Sequence, residues 1–132
     1  SELAHLVDSA YQMMPKKGRI MIICDNYGQA GAINYYSKIP ELEALTMNAD
    51  YLYWFDLEEK VDHLILVWEK DEQITDRELN FFEEYQKIGK IEHPLARERG
   101  TTVHFLRGAK ADINAVLKEE VAEEKKVWEG KN

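Results

Sequence analysis

Apolar residues recur at helical spacing from the start of the chain. Leu3, Leu6, Val7, Ala10, Tyr11 and Met14 fall at i, i+3, i+4, i+7, i+8 and i+11, which sets them on one face of a helix. Pro15 and Gly18 end it. The pattern then changes. Residues 19–25 (RIMIICD) form an unbroken apolar run between a turn and a polar loop, the signature of a buried strand in a parallel sheet. Residues 26–31 form a loop that opens a helix through about Ser37, and Pro40 closes that unit. Residues 42–47 predict a short second strand, and residues 48–55 one or two helical turns. Residues 63–68 (HLILVW) are a second long strand. Thr75 and Glu78 have the spacing of a capping box, so a helix starts there, with Leu79, Phe82 and Tyr85 as its buried face. Residues 87–92 and 102–107 read as two later strands, separated by a loop around Pro94 and Gly100. Asp112 is the expected N-cap of a last helix, whose apolar side is Ile113, Val116, Leu117 and Val121.

Strands alternating with helices predict an α/β fold. The expected form is a three-layer, Rossmann-like sandwich with a mostly parallel sheet of about five strands and helices on both faces. A length of 132 residues predicts one domain, with residues 1–15 as an N-terminal helix and 19–126 as the α/β core. Hydrophobic residues at 45% and charged residues at 32% fit a globular chain and exclude a disordered tail. The balance of 17 basic against 25 acidic residues, net −8, argues against nucleic-acid binding through phosphates and against a basic membrane anchor. Residues 56–78 alone carry a net −6, read as a solvated face around a loop without EF-hand spacing. One cysteine excludes an intrachain disulfide and a Cys-rich zinc site. No apolar run approaches the length of a membrane span. No signal peptide is visible, and a start at Ser1 is what a processed chain or a fragment shows.

The loop after the first strand is the main candidate site, because ligands of doubly wound sheets bind beyond the carboxyl ends of the strands. Asp25, Asn26, Tyr27, Gly28, Gln29, Ala30 and Gly31 lie there. The two glycines permit tight turns and close approach, and the helix N-terminus favours a phosphate or carboxylate. The spacing is G-x-x-G without a P-loop lysine, and Asp25 repels an anion, so the nucleotide signature is weak. Tyr27, Tyr35, Tyr36, Tyr51, Tyr53, Trp54 and Phe55 cluster nearby, and aromatic faces stack on sugar rings. Tyr53, Trp54 and Phe55 cannot all point inward, so at least one is exposed or covered by another surface. His5, His63, His93 and His104 lack metal-ligand spacing, His104 reads as structural, and Cys24 reads as a buried, inert thiol. No serine elbow, paired acid/base carboxylates, metal set or cofactor motif is present, so no catalytic residue and no cofactor are assigned.

Residues 25–36, DNYGQAGAINYY, resemble a segment in the soluble C-terminal domain of bacterial membrane glycosyltransferases of the dolichyl-phosphate-mannose–protein mannosyltransferase family. There a strand is followed by N-Y-G-[EQ]-A-G-A and a helix ending in aromatics. The likeness continues through residues 48–54 (NADYLYW), 91–100 (IEHPLARERG) and 103–108. The resemblance implies a multi-spanning parent enzyme that moves a sugar from a polyprenyl-phosphate donor, with its catalytic carboxylate in the membrane portion. This chain would be a non-catalytic accessory domain on the extracytoplasmic, periplasmic side, tethered by a preceding transmembrane region. Its partners would be the membrane domain of the same polypeptide and a sugar or lipid-linked acceptor. Asn26, Tyr27, Gly28, Gln29, Gly31, Asn48 and Trp54 carry over as the contact surface. Gln29 stands where an acid is common, and the acidic 56–78 stretch departs from the family. The alternative is a free-standing Rossmann-like enzyme or nucleotide-binding protein using the Gly28–Gly31 turn.

Overall fold

The computed structural model describes residues 1–131. Ser1 caps the first helix, α1 (Glu2–Gln12), its side chain accepting the Ala4 N–H. Leu3, Val7 and Ala10 then line its fully buried face. The chain continues through β1 (Ile20–Cys24), α2 (Tyr27–Tyr36), β2 (Ala44–Thr46), a 3-10 turn (Ala49–Trp54) and β3 (His63–Trp68). It ends with α3 (Asp76–Asn80), β4 (Phe82–Lys90), β5 (Thr102–Ala109) and α4 (Ile113–Lys131). The five strands form one sheet in the order β2-β1-β3-β5-β4.

The sheet is mixed, which corrects the expectation of a mostly parallel one. β1 runs parallel to β2 and β3, whereas β5 runs antiparallel to both β3 and β4. The cause lies in the connections. A parallel pair needs a long crossover, and α2 and the segment 47–62 supply two. β4 and β5 are joined directly through residues 91–101 without a helix, so they can only turn back on one another.

A second correction concerns the helix at Thr75. The capping box is present, with Thr75 Oγ1 accepting the Glu78 N–H at 3.2 Å. The helix stops at Asn80, and the strand expected over 87–92 starts early, at Phe82, and ends at Lys90. Phe82 and Tyr85 therefore project from a strand, paired with Ala109 and Leu106, not from a helix. Tertiary pairing along β5 outweighs the weak local helical pattern. The ladder is irregular between Lys87 and Gly89, where a Cβ on Gly89 would come within 3.0 Å of Leu6. The irregular edge thus leaves room for α1 to lie close.

Both faces of the sheet are covered. On one, Leu3, Val7, Ala30 and Ile33 pack against Ile22, Ile65, Val67, Val103 and Phe105. On the other, Leu52, Val61, Ile113, Leu117 and Val121 pack against Met21, Leu64, Leu66 and Leu106. Strands buried on two faces explain the continuous apolar runs of β1 and β3. Asp112 caps α4 by accepting the Ala115 N–H at 3.0 Å. Asn114 then locks that helix to the crossover, accepting from Val61 N at 2.8 Å and donating to Leu57 O at 2.9 Å and to Glu59 O at 2.6 Å. Cys24 is buried in the first layer, and that burial pushes its thiol pKa up, so it stays protonated. No described helix is long and apolar enough to cross a membrane.

His104 sits fully buried in β5, flanked by Tyr85 Oη at 2.7 Å from Nδ1 and Thr102 Oγ1 at 2.8 Å from Nε2. Its ring lies 4.1 Å from that of Trp68. Burial, aided by the Lys87 charge, holds its pKa down from 6.5 to about 4. The unfolded chain therefore takes up this proton first, so the stability it confers is complete above pH 6.5 and is lost as pH falls towards 4. The loss is expected to reach about 2–3 kcal/mol. His104→Gln, which offers a donor and an acceptor without titrating, should remove that slope. Denaturant unfolding of both proteins from pH 7 to pH 4 checks it. A constant difference between them across that range would place the proton elsewhere.

Candidate functional site

The loop between β1 and α2 is built on one reciprocal pair. Asn26 caps α2, its Oδ1 accepting the Gln29 N–H at 2.8 Å. Gln29 reaches back, its Oε1 accepting the N–H of Asp25 at 3.1 Å and of Asn26 at 3.3 Å. The other end of the Gln29 amide donates to Thr101 Oγ1 at 3.4 Å, so this side chain, 4% exposed, also ties α2 to the start of β5. Gln29 is thus spent on structure. It fixes the loop but offers little surface to a partner.

The chain leaves β1 for β2 on one side and returns as β3 on the other, so a topological switch point lies between the carboxyl ends of β1 and β3. That crevice is stitched shut. The Asp25 N–H donates to Val67 O at 3.0 Å, and its Oδ2 accepts the Glu69 N–H at 2.8 Å. Asn26 Nδ2 donates to Glu69 Oε1 at 2.7 Å. The Asp25 pKa is raised, chiefly by desolvation. The Glu69 N–H pulls it down, while repulsion from Glu69 and Glu72 pushes it further up. Two carboxylates at the switch point leave no place for a phosphate.

Gly28 and Gly31 do not make the turn, contrary to the expectation from sequence. Both lie within α2 at ordinary helical backbone angles, and the turn belongs to Asn26 and Gln29. A Cβ on Gly31 would meet nothing within 4 Å, and one on Gly28 would meet only Asn26 Oδ1 at 3.2 Å. The two glycines instead form the floor of an open cleft of about 760 Å³. Tyr27, Tyr35 and Tyr36 border it and are 62%, 81% and 53% exposed. The facing wall is the loop 92–100, which also bears Leu95 at 89% exposure. It is closed at its base by Ile91 N–H to Thr101 O at 2.9 Å and Gly100 N–H to Ile91 O at 2.8 Å. Gly100 takes the positive φ of +92° that this closure needs. His93 braces the loop from within, its Nδ1 accepting the Leu95 N–H at 3.1 Å. From this frame Arg97, Glu98 and Arg99 face the cleft, their side chains making no hydrogen bond or ion pair among the described residues.

The seven sequence-derived site residues therefore divide. Asn26, Tyr27, Gly28, Gln29 and Gly31 border the α2 cleft. Asn48 lies at the mouth of a second cleft, about 650 Å³, floored by Leu64, Leu66, Phe82 and Leu106 beneath α4. Trp54 lines neither, is 58% exposed and packs at a tilt against Tyr51 with ring centroids 4.5 Å apart. Its neighbour Tyr53 bonds Glu129 and lies 4.8 Å beneath the Lys125 ammonium, which anchors the 3-10 turn to α4. Glu120 and Glu78 stand on the rim of the second cleft, where desolvation, then the Glu78 charge, raises the Glu120 pKa. Arg97 and Arg99 are the wall residues that sequence reasoning left out of the site. The signals in sequence were the alternating R-E-R-G run of residues 97–100 and its place in the 91–100 segment of the likeness. Among the described residues no three His, Cys, Asp or Glu side chains converge as a metal site. The α2 cleft holds hydrogen-bonding and stacking groups, not a nucleophile paired with a base.

Gln29→Ala removes both the reciprocal cap and the bond to Thr101, and should cost about 1–2 kcal/mol. Gly31→Ala adds a methyl into open space in mid-helix, and should stabilise by up to about 1 kcal/mol. Urea unfolding of the two variants against the parent reads both. A destabilised Gly31→Ala protein would mean that the backbone itself requires glycine there.

Compared with known proteins, the chain matches no protein-family model, no curated protein and no solved structure.

Proposed function

We propose that this chain is an accessory extracytoplasmic domain of a membrane-embedded glycosyltransferase that uses a polyprenyl-phosphate sugar, and that it is not catalytic by itself. One observation carries the reading. Residues 25–36, which bear the family resemblance, also supply one side of the α2 cleft, and there the side chains of Tyr27 and Tyr35 make no hydrogen bond among the described residues. Tyr27 and Tyr35 are exposed, and Gly31 faces open space. The capping geometry further supports it. The resembled pattern accepts Glu or Gln at the position of Gln29, and either side chain closes a capping box. The variation is then a structural equivalence, and this position needs no acid for chemistry. The domain would present its cleft to the acceptor or to the membrane part of the same polypeptide, tethered on the periplasmic side by a preceding span.

A nucleotide-binding reading has less support. In its favour, β1 pairs in parallel with both β2 and β3, and α2 connects β1 to β2. The switch point, however, is occupied by Asp25 and Glu69, and the Gly28–Gly31 pair lies in a helix.

The open reading frame upstream of Ser1 is expected to contain several apolar spans of about 20 residues each. A start codon or a cleaved signal peptide immediately upstream would overturn the tethered reading. The isolated 132 residues are expected to show no sugar transfer from a polyprenyl-phosphate sugar, whereas the full-length membrane protein transfers it. Turnover by the fragment alone would locate a catalytic set within this domain and contradict the proposal.

A further inference from the structure

We propose that the cleft between α2 and the loop 92–100 is a carbohydrate subsite that takes an uncharged glycan chain. This deepens the reading above, but it rests on the chemistry of the cleft. A sugar ring needs a flat apolar surface for its C–H face and fixed donors and acceptors for its hydroxyls. Tyr27, Tyr35 and Tyr36 offer exposed phenol rings, and the edge-on contact of the last two, centroids 4.8 Å apart, braces them. Arg97 and Arg99 supply planar sets of donors, and Glu98 supplies acceptors, all uncommitted within the described protein. Gly28 and Gly31 remove the side chains that would otherwise fill the floor, so a ring can lie against the helix backbone.

The charge pattern separates this ligand from others. Arg97 and Arg99 line the cleft together with Glu98 of the same loop and with Glu69, so the lining carries no net charge. A phosphate or a polyanion would gain from the arginines and lose against the carboxylates. A lipid tail would find glycine backbone and polar side chains instead of an apolar floor. A polyhydroxylated neutral molecule uses both signs, since hydroxyls donate to carboxylates and accept from guanidinium groups. The closed base of the loop fixes the backbone that carries the arginines, so binding has only their side chains to order.

The test is a ¹H–¹⁵N titration of the 132-residue chain with maltotriose, cellotriose and mannotriose as probes, and with inorganic phosphate as the anionic control. At least one trisaccharide should bind with a millimolar dissociation constant and move the amides of Tyr27, Gly28, Gly31 and residues 97–100, while phosphate leaves them in place. Gly31→Leu, which refills the floor without harming the helix, should keep or raise Tm and weaken binding by about tenfold or more. Tyr35→Ala, at a side chain 81% exposed, should leave Tm unchanged and weaken binding about tenfold. No shift with any of the three sugars, an equal response to phosphate, or undiminished binding by Gly31→Leu would each overturn the proposal. Those results would leave the tethered reading standing, because that depends on the upstream spans and on transfer by the full-length protein. Conversely, a chain without upstream spans could still show the sugar shifts.

Discussion

The side-chain amide of Gln29 holds the carboxyl end of this sheet together. Its oxygen takes the two N–H groups that leave β1, and its nitrogen reaches Thr101, the residue just ahead of β5. Two pieces of chain far apart in sequence, the β1–α2 connection and the start of β5, thus meet at one buried group. A buried amide is costly unless both ends are satisfied, and here both are. Asp25 and Asn26 then extend the connection to Glu69 at the end of β3. The result is a rigid rim, and everything exposed on it keeps its place because the atoms beneath cannot shift independently.

The mixed sheet decides what that rim presents. A fully parallel sheet would bring a helix after β4. The direct β4–β5 connection brings instead the tight loop 92–100, and the order β2-β1-β3-β5-β4 sets β5 beside β3. Thr101 leads that strand, so the Gln29 bond draws the loop against α2. The cleft therefore depends on a departure from doubly wound topology. The usual ligand position between β1 and β3 is closed by Asp25 and Glu69, and the open space has moved one connection outward, between α2 and the loop.

Much of this was legible in the chain. β1 and β3 stood out because strands buried on both faces are apolar throughout, and α1 and α4 because they carry apolar stripes, whereas α2 begins at Tyr27, inside the stretch 26–31 expected as a loop. The capping box at Thr75 was readable, but the length of its helix was not. Residues 82–90 are stabilised by pairing with β5, a partner distant in sequence that no local pattern reveals. Strand direction was hidden for the same reason. The segment after β1 connects to α2 as the sequence implied, but the structural roles of its residues differ. Gly28 and Gly31 were read as turn residues, whereas Asn26 and Gln29 make the turn. Asn48, just ahead of the 3-10 turn, lines a small pocket with Tyr27, whereas Trp54 at the far end of that turn lines neither cleft. Arg97 and Arg99 were invisible as site residues because only the fold sets the loop 92–100 against α2.

Sequences that specify a fold tend to agree with it at every level, and places where they do not are where selection has acted for another purpose. α2 is such a place. Gly31 weakens a helix of ten residues without serving a turn, a close approach or a positive φ. Three tyrosines on the same helix stay in solvent although buried positions for aromatic rings exist elsewhere in the protein. Two arginines across the cleft forgo ion pairs in a chain with a net charge of −8, where acidic partners are plentiful. Each departure alone is an ordinary surface feature. Their convergence on one cleft, over a rim tied together by a buried, hydrogen-bonded amide, is the arrangement that the proposed subsite calls for: groups left open for a partner and a frame that keeps them ready for it.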